Sequence, residues 1–481
     1  MLMNPGGPPS PAAVMAFLGK SYAKFIDKPG KQHYEWTGVD PRGIGNTLPR
    51  AHCAPGDSMT YAARNYVLGK LGPIRADKTT LIHMLAEERT HVKRREDTEK
   101  SLGEVFPFVG TASTARDLVA VIDKIAESRG WKPPAEPKGP VGSPEKGPGM
   151  PRLNYMGFSY GTLLGSYFAS MFPGRVGRLR LDGVMDIKHQ STGVHISGLV
   201  DLDKILVKFF KGCHTAGAEK CSLARKADDS YKDTEARFWD MIKKLENEPQ
   251  ATWAPRLKQW VTMTVEDLMI YVWARAYGAY TDGPWLADVL DHVIKGNFTR
   301  STFMHQFRQL KNSCGTSPWP VLALDGMTAI SAADAYELGN VTISWLQEQV
   351  RYGEQVSKIS SQAPITLRNA AWPYRDRMGF RGPFTTPRFS QELTPGVPAA
   401  PILFLSNRLD PVTPLASARK IQAMHPESKL IIQEIEGHCA FKATKSSPCV
   451  NKLVQEYFDS GKVPDLNQIT FSSLYKTMTL S

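Results

Sequence analysis

The segment Gly157-Phe158-Ser159-Tyr160-Gly161 fits the pattern G-x-S-x-G. A serine hydroxyl is a weak nucleophile and attacks a carbonyl only when a base takes its proton. His438, in Glu436-Gly437-His438, is the candidate base. Asp410, in Leu409-Asp410-Pro411, is the candidate carboxylate that orients the imidazole and stabilises its cation. The implied chemistry is acyl transfer, whose tetrahedral intermediate needs hydrogen-bond donors around its oxyanion. The backbone N–H of Tyr160 is one candidate donor. The backbone N–H of Gly6 or Gly7, in Asn4-Pro5-Gly6-Gly7-Pro8, is the other. Asp182 competes for the acid's role, but Leu181-Asp182-Gly183 suits a tight turn, so Asp410 is preferred.

These residues need rigid supports, and the chain offers them. Short apolar runs end in turn residues at Trp36 to Val39, Leu153 to Phe158, Arg178 to Leu181, Ile402 to Leu405 and Leu430 to Ile435. Runs of this kind read as buried parallel strands. Met1 to Asn4 reads as the end of another strand entering a glycine turn. Helical patterns lie between them: Ala115 to Arg129, Gly161 to Phe172 before Pro173, and Leu415 to Met424. Strand, sharp turn and helix around Ser159 are the context a nucleophile elbow requires. Ser159, Asp410 and His438 each follow a strand, in the order this fold uses. The expected class is therefore α/β, an α/β-hydrolase fold with helices on both faces of a mostly parallel sheet.

Residues 196–395 break the alternation and read as a helical cap inserted between two sheet strands. Thr264-Val-Glu-Asp267 resembles a capping box opening a helix from Leu268 to Tyr277, and Trp285 to Ile294 is a second amphipathic segment. The expected organisation is a core of 1–195 and 396–481 around the cap at 196–395. Within the core, residues 132–151 hold seven prolines and no apolar period, which implies an extended or disordered loop.

Composition narrows the partners. A 42% hydrophobic and 22% charged chain of 481 residues can bury a large core. No apolar run approaches membrane-spanning length. The formal charge of +12 is scattered; its tightest cluster, Lys93-Arg94-Arg95, runs into Glu96-Asp97 and reads as a solvated helix face. No nucleic-acid motif is present. Six cysteines include two sequence-neighbour pairs, Cys213/Cys221 and Cys439/Cys449, with Cys53 and Cys314 over. Six cysteines allow 15 pairings, and the sequence does not choose among them. There is no C-x-x-C, which argues against zinc or thioredoxin-type chemistry. The sequons at Asn297 and Asn340 and the paired cysteines point to secretion, whereas no signal peptide is visible, so the compartment and the oligomeric state stay open.

Together the motifs resemble the proline iminopeptidase and tripeptidyl aminopeptidase-like serine peptidases. The resemblance rests on Asn4-Pro-Gly-Gly-Pro8, Asp40-Pro-Arg-Gly-Ile-Gly45, Gly157-Phe-Ser-Tyr-Gly-Thr162, Phe172-Pro-Gly-Arg-Val176, Leu181-Asp-Gly183, Leu409-Asp-Pro-Val-Thr-Pro414 and Gly437-His-Cys439. It covers both ends well and the helical middle weakly. It implies a TAP-like C-terminal region carrying the acid and base, removal of amino acids or short peptides from free N-termini, and no metal or other cofactor. It also implies acidic cap residues that bind the substrate's amino group; Asp334 and Glu337 lie in that region. Three departures carry expectations of their own. Strands that precede the Asn-Pro-Gly-Gly turn in the family are missing, as from an N-terminal truncation. Pro9-Ser10-Pro11 replaces glycines, which stiffens the oxyanion loop. Ala332 and Ala370 stand where relatives often carry cysteine, consistent with loss of a disulfide. The same triad serves esterases, thioesterases and other small-molecule hydrolases, and the altered N-terminus admits an inactive binding protein, so these remain alternatives.

Overall fold

In the computed structural model the described residues are 1–8, 10–28, 30–49, 51, 76–102, 105–132, 149–302, 319–360, 363–440 and 447–465. Cys53, Cys314, Pro9 and most of the proline-rich segment lie outside them. Six strands form one parallel sheet: β1 (Leu2–Asn4), β2 (Thr37–Gly38), β3 (Leu153–Phe158), β4 (Val176–Asp182), and later β7 (Leu403–Leu409) and β8 (Lys429–Glu436). Their spatial order is β2-β1-β3-β4-β7-β8. This is the expected α/β-hydrolase arrangement.

Successive strand side chains point to opposite faces. Leu2, Leu153, Tyr155 and Phe404 enter one core, with Ala112, Ala115, Leu118 and Ile122 of the helix Thr111–Glu127. Met3, Met156, Phe158, Leu403 and Leu405 enter the core on the other face, with the helices Val14–Ile26 and Pro448–Ser460. Burial on both faces explains why these strands read as short, nearly continuous apolar runs. The helix Tyr160–Met171 lies so deep that its first ten residues are all buried.

The region 196–395 is divided between cores. Its first part holds the helices Leu202–Ala216, Tyr231–Asn247, Val265–Ala276 and Ala279–Ile294 around their own apolar core. The capping box is present: Thr264 and Asp267 exchange side-chain-to-backbone hydrogen bonds. A disulfide, Cys213–Cys221, fastens the end of the first helix to the following turn, with Cα atoms 5.4 Å apart. A two-stranded antiparallel hairpin, β5 (Gln250–Ala254) and β6 (Gln259–Met263), has no counterpart in the sequence reading. The second part packs back on the main body: Ala329, Ile330, Ala332 and Ala333 of the helix Trp319–Asp334, then Trp372 and Phe384, join the sheet core. Among the described residues no helix is long and apolar enough to cross a membrane.

The cap core rests on close aromatic packing. Phe210 is fully buried, with Phe209 and Phe238 at centroid distances of 5.4 and 5.6 Å. Phe210→Ala should cost about 3–5 kcal/mol. A urea midpoint close to wild type would show that the cap adds little to the cooperative unit.

Candidate active site

The sequence elements converge at the C-terminal ends of the parallel strands, where open α/β sheets bind ligands. Ser159 sits between β3 and the helix Tyr160–Met171 with φ 56° and ψ −123°. That region is costly for any residue with a Cβ. Contacts on every side hold it. The Ser159 N–H donates to the Asp182 carbonyl at 3.0 Å, and its carbonyl accepts from the Thr162 N–H at 2.8 Å and the Thr162 hydroxyl at 2.6 Å. A Cβ on Gly157 would lie 2.3 Å from the Gly161 carbonyl oxygen, and one on Gly6 2.4 Å from that of Phe158. Glycine at these positions lets the β1 turn and the elbow touch backbone to backbone.

Asp410 follows β7 and is fully buried. One carboxylate oxygen accepts from the backbone N–H groups of Val412 and Thr413, at 3.0 and 2.8 Å; the other accepts from Cys439 N–H at 3.1 Å. His438 Nδ1 lies 3.0 Å from both oxygens, and the Thr413 hydroxyl is 3.2 Å from the same nitrogen. Burial alone would push the imidazole pKa down, but the Asp410 carboxylate outweighs it and holds the ring above its ordinary value. The histidine loop is backed by strand contacts: Gly437 N–H donates to the Leu409 carbonyl at 3.0 Å, and the Asn407 amide donates to the Gly437 carbonyl at 2.8 Å.

Asp182 does not compete for His438. Its carboxylate accepts from Arg180 at 2.6 Å and from the Ala440 N–H at 2.7 Å, and the Arg180–Asp182 pair has no solvent exposure. Its role is to anchor both the elbow and the histidine loop. Ser159 and the His438–Asp410 pair thus share one strand edge, although among the described residues no hydrogen bond joins the Ser159 hydroxyl to His438. Such bonds commonly tighten only when substrate is bound.

For the oxyanion donors the structure separates Gly6 from Gly7. The Gly6 N–H donates to the Asn4 side-chain oxygen at 2.9 Å, so it is not available to a ligand. The part the structure gives Gly6 is the close approach to the elbow. Gly7 is exposed, with φ 116°. Among the described residues no group accepts from its N–H, nor from that of Tyr160.

Of the acidic residues noted in the sequence, Glu337 pairs with Lys188 at the surface. Asp334 is buried and accepts from the Thr111 N–H, the Thr111 hydroxyl and the Gln190 amide, while Thr111 Oγ1 lies 2.9 Å from the Tyr160 hydroxyl. Burial raises its pKa to about 7. Two residues that no sequence signal marked also touch the site. Asp201 accepts from the Asp410 N–H at 3.4 Å, and the Tyr277 carbonyl accepts from the His438 N–H at 2.8 Å.

Residues 378–469, which include Asp410 and His438, match the TAP-like protein family. The tripeptidyl aminopeptidase of Streptomyces lividans is 24% identical over 477 residues, 98% of this chain and 76% of that protein. That of Streptomyces coelicolor is 24% identical over 467 residues, 96% and 74% respectively. Serine protease Hip1 of Mycobacterium tuberculosis is 27% identical over 187 residues, 39% of this chain and 29% of that protein. The chain therefore carries a TAP-like C-terminal region and is a distant homologue of tripeptidyl aminopeptidases over most of its length.

Two stability predictions follow from the buried charges. Asp182→Asn keeps an acceptor for Ala440 but removes the charge from a fully buried ion pair with Arg180, and should cost about 3–5 kcal/mol in denaturant unfolding. A loss below about 1 kcal/mol would remove Asp182 as the anchor. For His438 the folded-state pKa is raised. Its contribution to stability is full below the unfolded value near 6.5 and is lost as pH rises through the folded value, because the folded state holds the extra proton in that window. Asp410→Asn should flatten this fall in stability between pH 6.5 and the alkaline side.

Proposed function

We propose that this chain is a serine hydrolase of the peptidase type, which releases short pieces from free peptide N-termini through an acyl-enzyme on Ser159. The observation that carries this reading is the placement of Ser159, Asp410 and His438 at the ends of the parallel strands β3, β7 and β8. His438 is held on Asp410 by its Nδ1, which leaves Nε2 for the serine.

In the first half-reaction Ser159 Oγ bonds to the scissile carbonyl carbon as His438 Nε2 takes the hydroxyl proton. The carbonyl electron pair moves onto oxygen, stabilised by the N–H groups of Tyr160 and Gly7. Collapse of this intermediate breaks the C–N bond, and His438 delivers its proton to the leaving amine. Water then enters, His438 takes its proton, and a second tetrahedral intermediate releases the N-terminal piece as its acid and restores the serine. The Asp410 carboxylate stabilises the imidazolium in both halves. Cleavage at peptide ends is supported by the two Streptomyces relatives, which are tripeptidyl aminopeptidases by name.

Fluorophosphonate labelling and a panel of peptidyl fluorophores test the reading. Ser159→Ala should abolish labelling and lower turnover roughly 10⁴–10⁶-fold. A loss under about tenfold would reject Ser159 as nucleophile. Peptides with a free N-terminus should turn over faster than their N-acetylated forms; equal rates would reject the exopeptidase part, and turnover of esters alone would reject the peptidase part. Because the imidazole must be neutral to act as base, kcat/KM should rise with pH along a limb whose midpoint lies above 6.5.

A further inference from the structure

The cap meets the candidate acid and base directly. Tyr277 follows the last residue of the helix Val265–Ala276. Its carbonyl accepts the His438 N–H at 2.8 Å. Its ring lies against the imidazole, with centroids 4.9 Å apart and planes at 73°. Trp273, one turn earlier, packs edge-on to Tyr277 at 5.4 Å. From the neighbouring cap segment Asp201 accepts the Asp410 N–H, and Lys208 pairs with Glu436, two residues before His438. The Tyr277 and Asp201 contacts fall on the loops that carry His438 and Asp410, and the Lys208 pair falls on the end of β8 just before His438.

Hydrogen bonds fix the backbone of those loops, but the face of the imidazole is left to packing. His438 stands between Gly437 at φ 128° and Cys439 at φ 64°, so the turn uses two residues in the left-handed half of backbone space. Asp410 holds the imidazole at Nδ1, which leaves rotation about that contact to be limited by packing. The Tyr277 ring is the aromatic surface against it, and an edge-to-face pair of this kind has a preferred geometry that a flexible aliphatic chain lacks. The Tyr277 hydroxyl makes no hydrogen bond among the described residues, so the ring and not the phenol is the contacting group.

We propose that Tyr277 is a positioning residue for His438: it orients the imidazole and shields the His438–Asp410 hydrogen bond from water, so that docking of the cap and alignment of the base are a single event. The proposal rests on the reading of His438 as the base. It makes the cap a condition for catalysis as well as a cover over the site, because a cap helix that lifts takes with it the ring and the carbonyl that fix the histidine.

The test compares full-length wild type with Tyr277→Phe, Tyr277→Leu and Ser159→Ala. The first readout does not depend on activity. The far-downfield proton NMR signal of His438 Nδ1–H, assigned by its absence in His438→Gln, should persist in wild type and Tyr277→Phe. It should be broadened by solvent exchange in Tyr277→Leu. The second readout is kinetic. Tyr277→Leu should lower kcat by about 10- to 100-fold, the scale of a small misplacement of a catalytic group. Its KM should stay within about threefold of wild type, and Tyr277→Phe should retain most of kcat. An unchanged Nδ1–H signal together with wild-type kcat in Tyr277→Leu overturns the proposal. So does a loss confined to KM, which would make the ring a wall of the substrate site. If wild type is not labelled at Ser159, the hydrolase reading fails, while the NMR comparison still decides whether Tyr277 holds the His438 ring. Should Tyr277→Leu not fold, Tyr277→Met carries the same comparison with an unbranched side chain.

Discussion

The geometry of the site hangs on Asp182. Its carbonyl receives the Ser159 N–H, its carboxylate receives the Ala440 N–H, and the following N–H, of Gly183, donates to the Leu405 carbonyl of β7. One residue at the end of β4 therefore sets the height of the elbow on one side and of the histidine loop on the other. Burying its charge is expensive, several kcal/mol after relaxation. Arg180 offsets that cost from two residues earlier on the same strand face, its guanidinium 5.0 Å from the Phe158 ring centroid. An apolar pair could fill the same space, but it could not bind an N–H group beyond His438. The charge is used here for position.

Two further carboxylates perform a related task at the helix Thr111–Glu127. Its N-cap is Gly110, which has no side chain to accept the first free N–H groups. Asp334, from the end of the helix Trp319–Asp334, accepts the Thr111 N–H, and Asp376 accepts from the Ser113 hydroxyl, 3.1 Å away. A Cβ on Gly110 would lie 2.2 Å from an Asp376 oxygen, so glycine is needed for the approach. Capping from distant segments ties the second part of the insertion to the sheet. Through Thr111 it also reaches the Tyr160 hydroxyl, on the residue that follows the proposed nucleophile. These contacts hold Asp334 and Asp376 beside the residues Ala329, Ile330, Ala333 and Trp372 that enter the sheet core, whereas Ile359 joins the separate core of the preceding helices.

The sheet and the order of the candidate triad were legible because their signals are local. Short apolar runs, glycines at close approaches and a turn residue after each strand are properties of a few consecutive positions. The features that were not legible depend on where a distant atom arrives. The choice between Gly6 and Gly7 turned on the Asn4 side chain, which takes the Gly6 N–H. The hairpin β5–β6 alternates weakly, and its Pro255-Arg-Leu-Lys258 turn lacks the Asn-Gly or Asp-Gly that marks tight hairpins; Lys258 itself adopts φ 51°. Cys213 and Cys221 bond because the helix end turns back between them. Cys439 and Cys449, also near each other in sequence, are both thiols: one is packed beside Gly183, the other exposed at the start of the helix Pro448–Ser460. Tyr277 is the extreme case, since its helix was readable from the capping box at one end and its contact with His438 lies at the other.

The division between legible and illegible parts has a functional meaning. Strand ends can assemble the same nucleophile, base and acid for many substrates, because the sheet fixes their positions whatever enters the site. Here the cap is not independent of the strand ends: Asp201 and Tyr277 contribute hydrogen bonds to the backbone of Asp410 and His438 themselves. The ends of its first and third helices are therefore tied to the strand ends that carry Asp410 and His438.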